Sequence, residues 1–168
     1  MSGDRLETER LELRELDLDD APFVQSLLDD DAVMRFYPDS VRQRGGRGWV
    51  DNQRARYERD GHGLWLASLR HSGEPVGMIG LCMQLVEDEV HPEIGYIVAS
   101  AHWRRGIASE AALACRARAF DVYDYPYVIS LVRPINTPSA GVARKIGMQI
   151  VRRAIFSGLE HDVFRVDR

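Results

Sequence analysis

Residues able to do chemistry together converge on one junction, 93–111, which reads Glu93-Ile94-Gly95-Tyr96-Ile97-Val98-Ala99-Ser100-Ala101-His102-Trp103-Arg104-Arg105-Gly106-Ile107-Ala108-Ser109-Glu110-Ala111. The pattern is a strand, a short turn of arginine and glycine, and the start of a long helix. A helix start has backbone N–H groups without intrahelical partners and is the positive end of the helix dipole, so such a junction binds an anion. Gly106 and Ala108 leave the turn unobstructed while Arg104 and Arg105 add charge, a combination that suits a pyrophosphate better than a lone phosphate. Neither G-x-x-x-x-G-K-[ST] nor G-x-G-x-x-G follows a strand here, which excludes the familiar nucleotide fingerprints. Glu93 is an isolated carboxylate beside Pro92 at the head of an otherwise apolar strand. Burial there would raise its pKa toward the operating pH and make it a general base, acting through a water; the other reading is a solvated strand-edge carboxylate. Asn136 precedes Thr137, the expected helix cap, so its amide is either free for a ligand or simply turn-forming. Ser139, in the first turn of that helix, is either a hydroxyl donor or an ordinary helix-start serine.

These segments resemble the GNAT superfamily of N-acetyltransferases, specifically its RimJ/RimL-like branch. Glu93-Ile94-Gly95-Tyr96 followed by Trp103-Arg104-Arg105-Gly106-Ile107-Ala108 is similar to the branch's E-I-G-Y strand and W-G-K-G-Y-A-type turn. Thr8-Glu9-Arg10-Leu11-Glu12-Leu13-Arg14 resembles its opening strand, and Asn136-Thr137-Pro138-Ser139 with Lys145-Ile146-Gly147-Met148 resembles its N-x-x-S helix ending in K-L-G-F. The resemblance implies acetyl-CoA as co-substrate and no metal. Its pyrophosphate would lie on Trp103, Arg104, Arg105, Gly106, Ile107, Ala108 and Ser109, its pantetheine along Ile97, Val98, Asn136 and Ser139, with Arg144 adding to the phosphate field. Arg104 departs from the family's glycine at the second turn position. In relatives the strand carrying residues 93–98 bulges from its neighbour and frees backbone N–H groups for the cofactor. The resemblance also supports Ser139 as general acid for the departing thiolate, because the tyrosine found later in this helix in many relatives is Ala143 here. Met34, Tyr37 and Glu93 are the candidate acceptor contacts, with Phe36 and the 156–161 hairpin nearby.

The expected reaction is acetyl transfer to a primary amine, either a protein N-terminus or a small molecule, by direct attack in a ternary complex. An α-amino group with pKa near ~7.8 costs about 1 kcal/mol to neutralise at pH 7, a lysine near ~10.4 about 4.6 kcal/mol, so a weak base would serve the former. The alternative is a non-catalytic acyl-CoA sensor that keeps the turn and lacks acid and base.

The elements that must position these residues follow from periodicity. Residues 8–16 alternate as a half-buried strand; Pro22, Phe23, Val24, Leu27 and Leu28 mark a helix; residues 32–37 and 48–59 read as a short and a longer helix separated by a glycine- and arginine-rich loop, 42–48. Residues 64–69, 76–85 and 90–98 read as an antiparallel meander. Ala108, Ala111, Ala112, Cys115 and Ala119 recur at helical spacing as a stripe of small residues that lets a helix lie close to a sheet. A strand at 127–132, a helix at 137–145 and a hairpin of 149–156 with 159–166 close the chain. The expected fold is one mixed α/β (α+β) domain over residues 1–168, with a mainly antiparallel central sheet and helices on both faces.

Composition agrees with a single globular domain: 168 residues, 45% hydrophobic, 29% charged. A net charge of −4 argues against a nucleic-acid footprint, and weakly favours a cationic amine. One arginine-glycine cluster at 44–48 reads as a mobile loop rather than an RNA element. Of 22 basic residues only Lys145 is lysine, which removes lysine P-loops. Cys82 and Cys115 read as buried thiols away from the site, and the charged start, residues 1–9, is not signal-like. No apolar run would cross a membrane. A cytoplasmic monomer or homodimer is expected.

Overall fold

The computed structural model describes residues 5–168. In chain order the elements are β1 (Arg5–Glu7), β2 (Leu11–Glu15), a 3-10 turn (Leu18–Asp20), α1 (Ala21–Asp29), α2 (Asp31–Met34), α3 (Asp39–Gln43), α4 (Gly45–Asp60), β3 (Leu64–Leu69), β4 (Pro75–Val86), β5 (Glu89–Val98), a 3-10 turn (Ser100–His102), α5 (Ile107–Asp121), β6 (Tyr127–Val132), α6 (Thr137–Lys145), β7 (Gln149–Phe156) and β8 (Leu159–Asp167). Leu11 and Leu13 are fully buried while the residues between and after them are only partly covered, the period-two pattern that makes β2 a strand with one face on a core. The first four residues of the charged N-terminal segment lie outside the described residues.

The strands form one sheet in the order β1-β2-β3-β4-β5-β6-β8-β7. Every neighbouring pair is antiparallel except β5 and β6, which run parallel and share a single register pair, Glu93 with Ile129. One further tie, Ser130 Oγ donating to Ile94 O at 2.8 Å, follows it. Beyond that point the two strands part, so the sheet carries a notch at the C-terminal end of β5.

Each face of the sheet has its own core. On one side Ile107, Ala111, Ala112, Cys115 and Ala119 of α5 and Ala143 and Ile146 of α6 pack on Leu11, Leu13, Ile79, Leu81 and Ile94. The alanine stripe therefore does what its small volume predicts, and brings α5 against β4 and β5. On the other side Val24, Leu27 and Leu28 of α1, Val33 and Met34 of α2, and Trp49 and Val50 of α4 cover Leu66, Met78 and Ile97.

Two expectations are corrected. The 42–48 segment is not a loop: α3 ends at Gln43 and α4 begins at Gly45. Gly46 is buried where α4 crosses α1, and a Cβ there would collide with the Ala21 carbonyl and lie 2.8 Å from Gln25 N. The neighbouring arginines are held by the fold, Arg42 Nη1 on Asp31 at 2.9 Å and Arg44 over the Trp49 ring. The strand β1 was not expected; its three residues pair with β2 at the sheet edge. No helix among the described residues is long and apolar enough to cross a membrane.

Candidate functional site

The turn after β5 is folded back on the strand end by Trp103, whose Nε1 donates to Val98 O at 2.8 Å. Arg104 (φ 61°) and Gly106 (φ 75°) both adopt left-handed backbone. Arg104 thus takes the conformation that a glycine in its place would take freely, at a steric cost of about 1 kcal/mol. Gly106 stands at the N-cap of α5 and offers no side chain, so the amides of Ile107, Ala108 and Ser109 face no capping oxygen. The turn is braced from behind: Arg10 Nη1 donates to Arg105 O (2.8 Å), and Glu110 accepts from Arg10 Nε (2.7 Å), Arg10 N (2.8 Å) and Thr8 Oγ1 (2.6 Å). Sequence reasoning quoted the Thr8–Arg10 motif but missed this role; the available signal was a Thr/Arg pair and a first-turn glutamate in motifs about a hundred positions apart.

At the notch a cleft of about 230 Å³ opens, lined from both faces of the sheet. Backbone groups alternate edges along a strand, and Ala99 N bonds Val76 O of β4 while Ile94 O is turned to β6. Tyr96 and Val98 therefore direct their N–H groups toward the opening between β5 and β6. Side chains alternate faces as well. Glu93 and Ile97 project toward α4, and Tyr96 packs with the α5 and α6 core.

Burial pushes the Glu93 carboxyl up to about 7, against the pull of the Gln84 side chain, the Arg56 charge and the Leu131 backbone N–H. Glu93 is half-buried and stands mid-strand rather than at the head. Tyr96 was not singled out. Its hydroxyl donates to Ser139 O at 2.8 Å and accepts from Ser139 Oγ at 3.0 Å, and burial pushes its pKa up to about 12. The signal for it lay in the strand register: three residues after Glu93, Tyr96 faces the helix that carries Ser139.

Asn136 lines the cleft but is itself the cap of α6, since its Oδ1 accepts from Ser139 N at 3.2 Å. The expectation that Thr137 caps the helix is corrected, and only the Asn136 NH₂ group remains free of the helix end. Tyr37, Phe36, Phe156 and His161 line the cleft; Met34 does not, being 5% exposed in the α1–α2–α4 core. Arg144 is exposed at the far end of α6 over the Phe164 ring. Cys115 lies in the α5 core, but Cys82 corrects the expectation for both cysteines: it is the cross-strand partner of Glu93 and lines the cleft. Burial pushes its thiol up to about 12, so it is protonated and a poor nucleophile at neutral pH.

The uncapped α5 start, the left-handed Gly106 and the exposed guanidinium groups of Arg104 and Arg105 fit a diphosphate, and they follow the end of β5, the strand that carries Glu93.

Comparison with known proteins gives the family and the fold. The family described as Acetyltransferase (GNAT) domain matches residues 10–149. An uncharacterized protein of Bacillus subtilis, YkkB, is 36% identical over 145 residues, covering 86% of this chain and 84% of its own. The crystal structure of an acetyltransferase from Agrobacterium tumefaciens superposes with a TM-score of 0.83 at 30% identity, over 100% of this chain and 96% of that one. RimL, described as a ribosomal L7/L12 alpha-N-protein acetyltransferase in complex with coenzyme A, shares the fold at 20% identity, with a TM-score of 0.75 over 98% of this chain and 97% of its own.

Proposed function

Because the chain belongs to the GNAT acetyltransferase family, we propose that it moves an acetyl group from acetyl-CoA to a primary amine by direct attack in a ternary complex. When bound, acetyl-CoA supplies an activated acyl carbon and a thiolate leaving group. The uncapped first turn of α5, with Arg104 and Arg105, receives the diphosphate. The free N–H edge of Tyr96 and Val98 holds the pantetheine arm and, at its end, faces the thioester oxygen where negative charge develops. Asn136 Nδ2 adds a donor along the same path.

Glu93, poised near neutrality, accepts the proton that the amine must lose, directly or through a water in the cleft. Ser139 Oγ protonates the departing sulfur by turning its one hydrogen away from Tyr96 Oη, to which it donates at 3.0 Å at rest, and Tyr96 is the positioning residue that holds the serine hydroxyl until then. A covalent acyl-enzyme on Cys82 is disfavoured by its protonated thiol. The single observation that carries the reading is the parting of β5 from β6 just beyond Glu93, which leaves a base and a free backbone edge in one cleft on the strand that runs on to the anion-binding turn.

The test is thiol release from acetyl-CoA across a broad amine panel at pH 7. Turnover with at least one amine is expected, lowered about 10²-fold in Glu93→Gln and less in Ser139→Ala. Tight CoA binding without turnover on any amine would replace this reading with an acyl-CoA sensor. No thermal shift with millimolar CoA would remove both.

A further inference from the structure

The acceptor end of the cleft has a charge pattern that the whole-molecule balance hides. Three guanidinium groups line it, those of Arg44, Arg56 and Arg133, and Glu93 is the one carboxylate among the described lining residues. Several arginines elsewhere pair with acids, as Arg14 does with Asp20 at 2.8 Å and Arg153 with Asp162 at 2.9 Å, while others, such as Arg116 on Ile146 O, do not. Neither do the cleft arginines. Arg56 spends its donors on neutral oxygens, Met83 O at 2.8 Å and Asn52 Oδ1 and Gln84 Oε1 at 3.4 Å, and Arg44 lies over Trp49. Arg133 is the most exceptional: its one hydrogen bond is a long 3.4 Å contact to Phe36 O, and its Nε is buried with no partner.

A buried guanidinium nitrogen without an acceptor is costly, and among the described residues no carboxylate pairs with Arg133 to offset it. A planar guanidinium is shaped to receive a carboxylate. Its neighbours Phe36 and His161 belong to the α2 side and the β7–β8 hairpin, the walls that face the acceptor rather than the diphosphate turn. We propose that the amine acetylated here carries a carboxylate a few bonds from its nitrogen, and that Arg133 receives this carboxylate while the amine faces Glu93. The inference rests on the N-acetyltransferase reading above and reverses the preference for a cationic amine drawn from the net charge of −4. Polyamines, with a second positive end, are selected against by the same field.

Two sources present this chemistry, free amino acids and peptides with an acidic first residue, and matched pairs separate them. Acetyl-CoA turnover is measured for β-alanine against β-alaninamide, for aspartate against asparagine amide, for Asp- against Asn-initiated tetrapeptides, and for spermidine. Calorimetric binding of each compound to the CoA-saturated protein is measured alongside. The carboxylate member of at least one pair should be preferred by tenfold or more in kcat/KM or in Kd, and 0.5 M salt should shrink the preference. Arg133→Met should collapse it, Arg133→Lys should restore part of it, and neither should change the KM for acetyl-CoA beyond twofold. Equal use of both members of every pair, preference for spermidine, or loss of acetyl-CoA affinity in Arg133→Met would overturn the proposal. Turnover confined to amides or polyamines would overturn it while leaving the acetyltransferase reading intact. Absence of turnover together with absence of carboxylate-selective binding would overturn both.

Discussion

At Glu93 one cause has two opposed effects. Burial raises the folded-state pKa from 4.5 to about 7, and a carboxyl whose pKa rises on folding favours the folded state fully only below its unfolded pKa. That contribution is lost as pH climbs from 4.5 through 7, because the ionised group is then held in poor solvation. A shift of this size corresponds to a ceiling of roughly 3 kcal/mol, reduced by the partial exposure of the side chain. Glu93→Gln should therefore raise the melting temperature at pH 8 by a few degrees and leave it unchanged near pH 4.5, while turnover falls. In the same variant the acid limb of kcat/KM, expected near pH 7 in the natural protein, should disappear and leave only the ionisation of the amine. Thermal melts at the two pH values and a pH–rate profile read both effects. A melting temperature that drops at pH 8 would contradict the assigned burial cost.

At the scale of elements two glycines of α4 have different neighbours, and of the two Gly46 alone sets the α1–α4 crossing. A methyl at Gly46 strikes the backbone of α1, whereas one at Gly48 meets only a side chain, Arg44 Cγ at 2.9 Å, which must shift to admit it. Gly46→Ala should cost about 2 kcal/mol through overpacking, and Gly48→Ala should be near neutral, its gain of about 0.5 kcal/mol in helix entropy offset by the shift of Arg44. Denaturant titration of the pair would show the contrast, and similar losses at both would refute the packing argument. These glycines also mark where the sequence was hard to read. The period of α5 was legible because small apolar residues repeat there at helical spacing, β3 because its apolar run is closed by a turn, and α6 because Pro138 marks its start and Gly147 its end. Residues 44–48 have the composition of a loop, and only contact with α1, far away in sequence, makes them helical. The diphosphate turn was legible for the converse reason, since strand, turn and helix start lie in one continuous stretch. Tyr96 and Cys82 reach the cleft through strand register, and Asn136 caps α6 through a one-residue shift in the helix start. Neither is fixed by local pattern.

For the molecule as a whole, the sheet consists of a five-stranded antiparallel half, β1 to β5, and a three-stranded half, β6, β8 and β7, joined at the Glu93–Ile129 pair. Backbone amides of Tyr96 and Val98 have no strand partner across the notch. Deuterium uptake at residues 94–98 and 129–132 should be faster than along β3 and β4 in the empty protein, and should slow when coenzyme A is added. Uptake that ignores the cofactor would place it elsewhere. The fold thus keeps its least protected line in the middle of the sheet rather than at its rim. A cofactor seated there acts as a surrogate rung, so occupancy and global cohesion are thermodynamically linked. The resting protein should be easiest to unzip, by heat or by protease, along the same seam that the cofactor later closes.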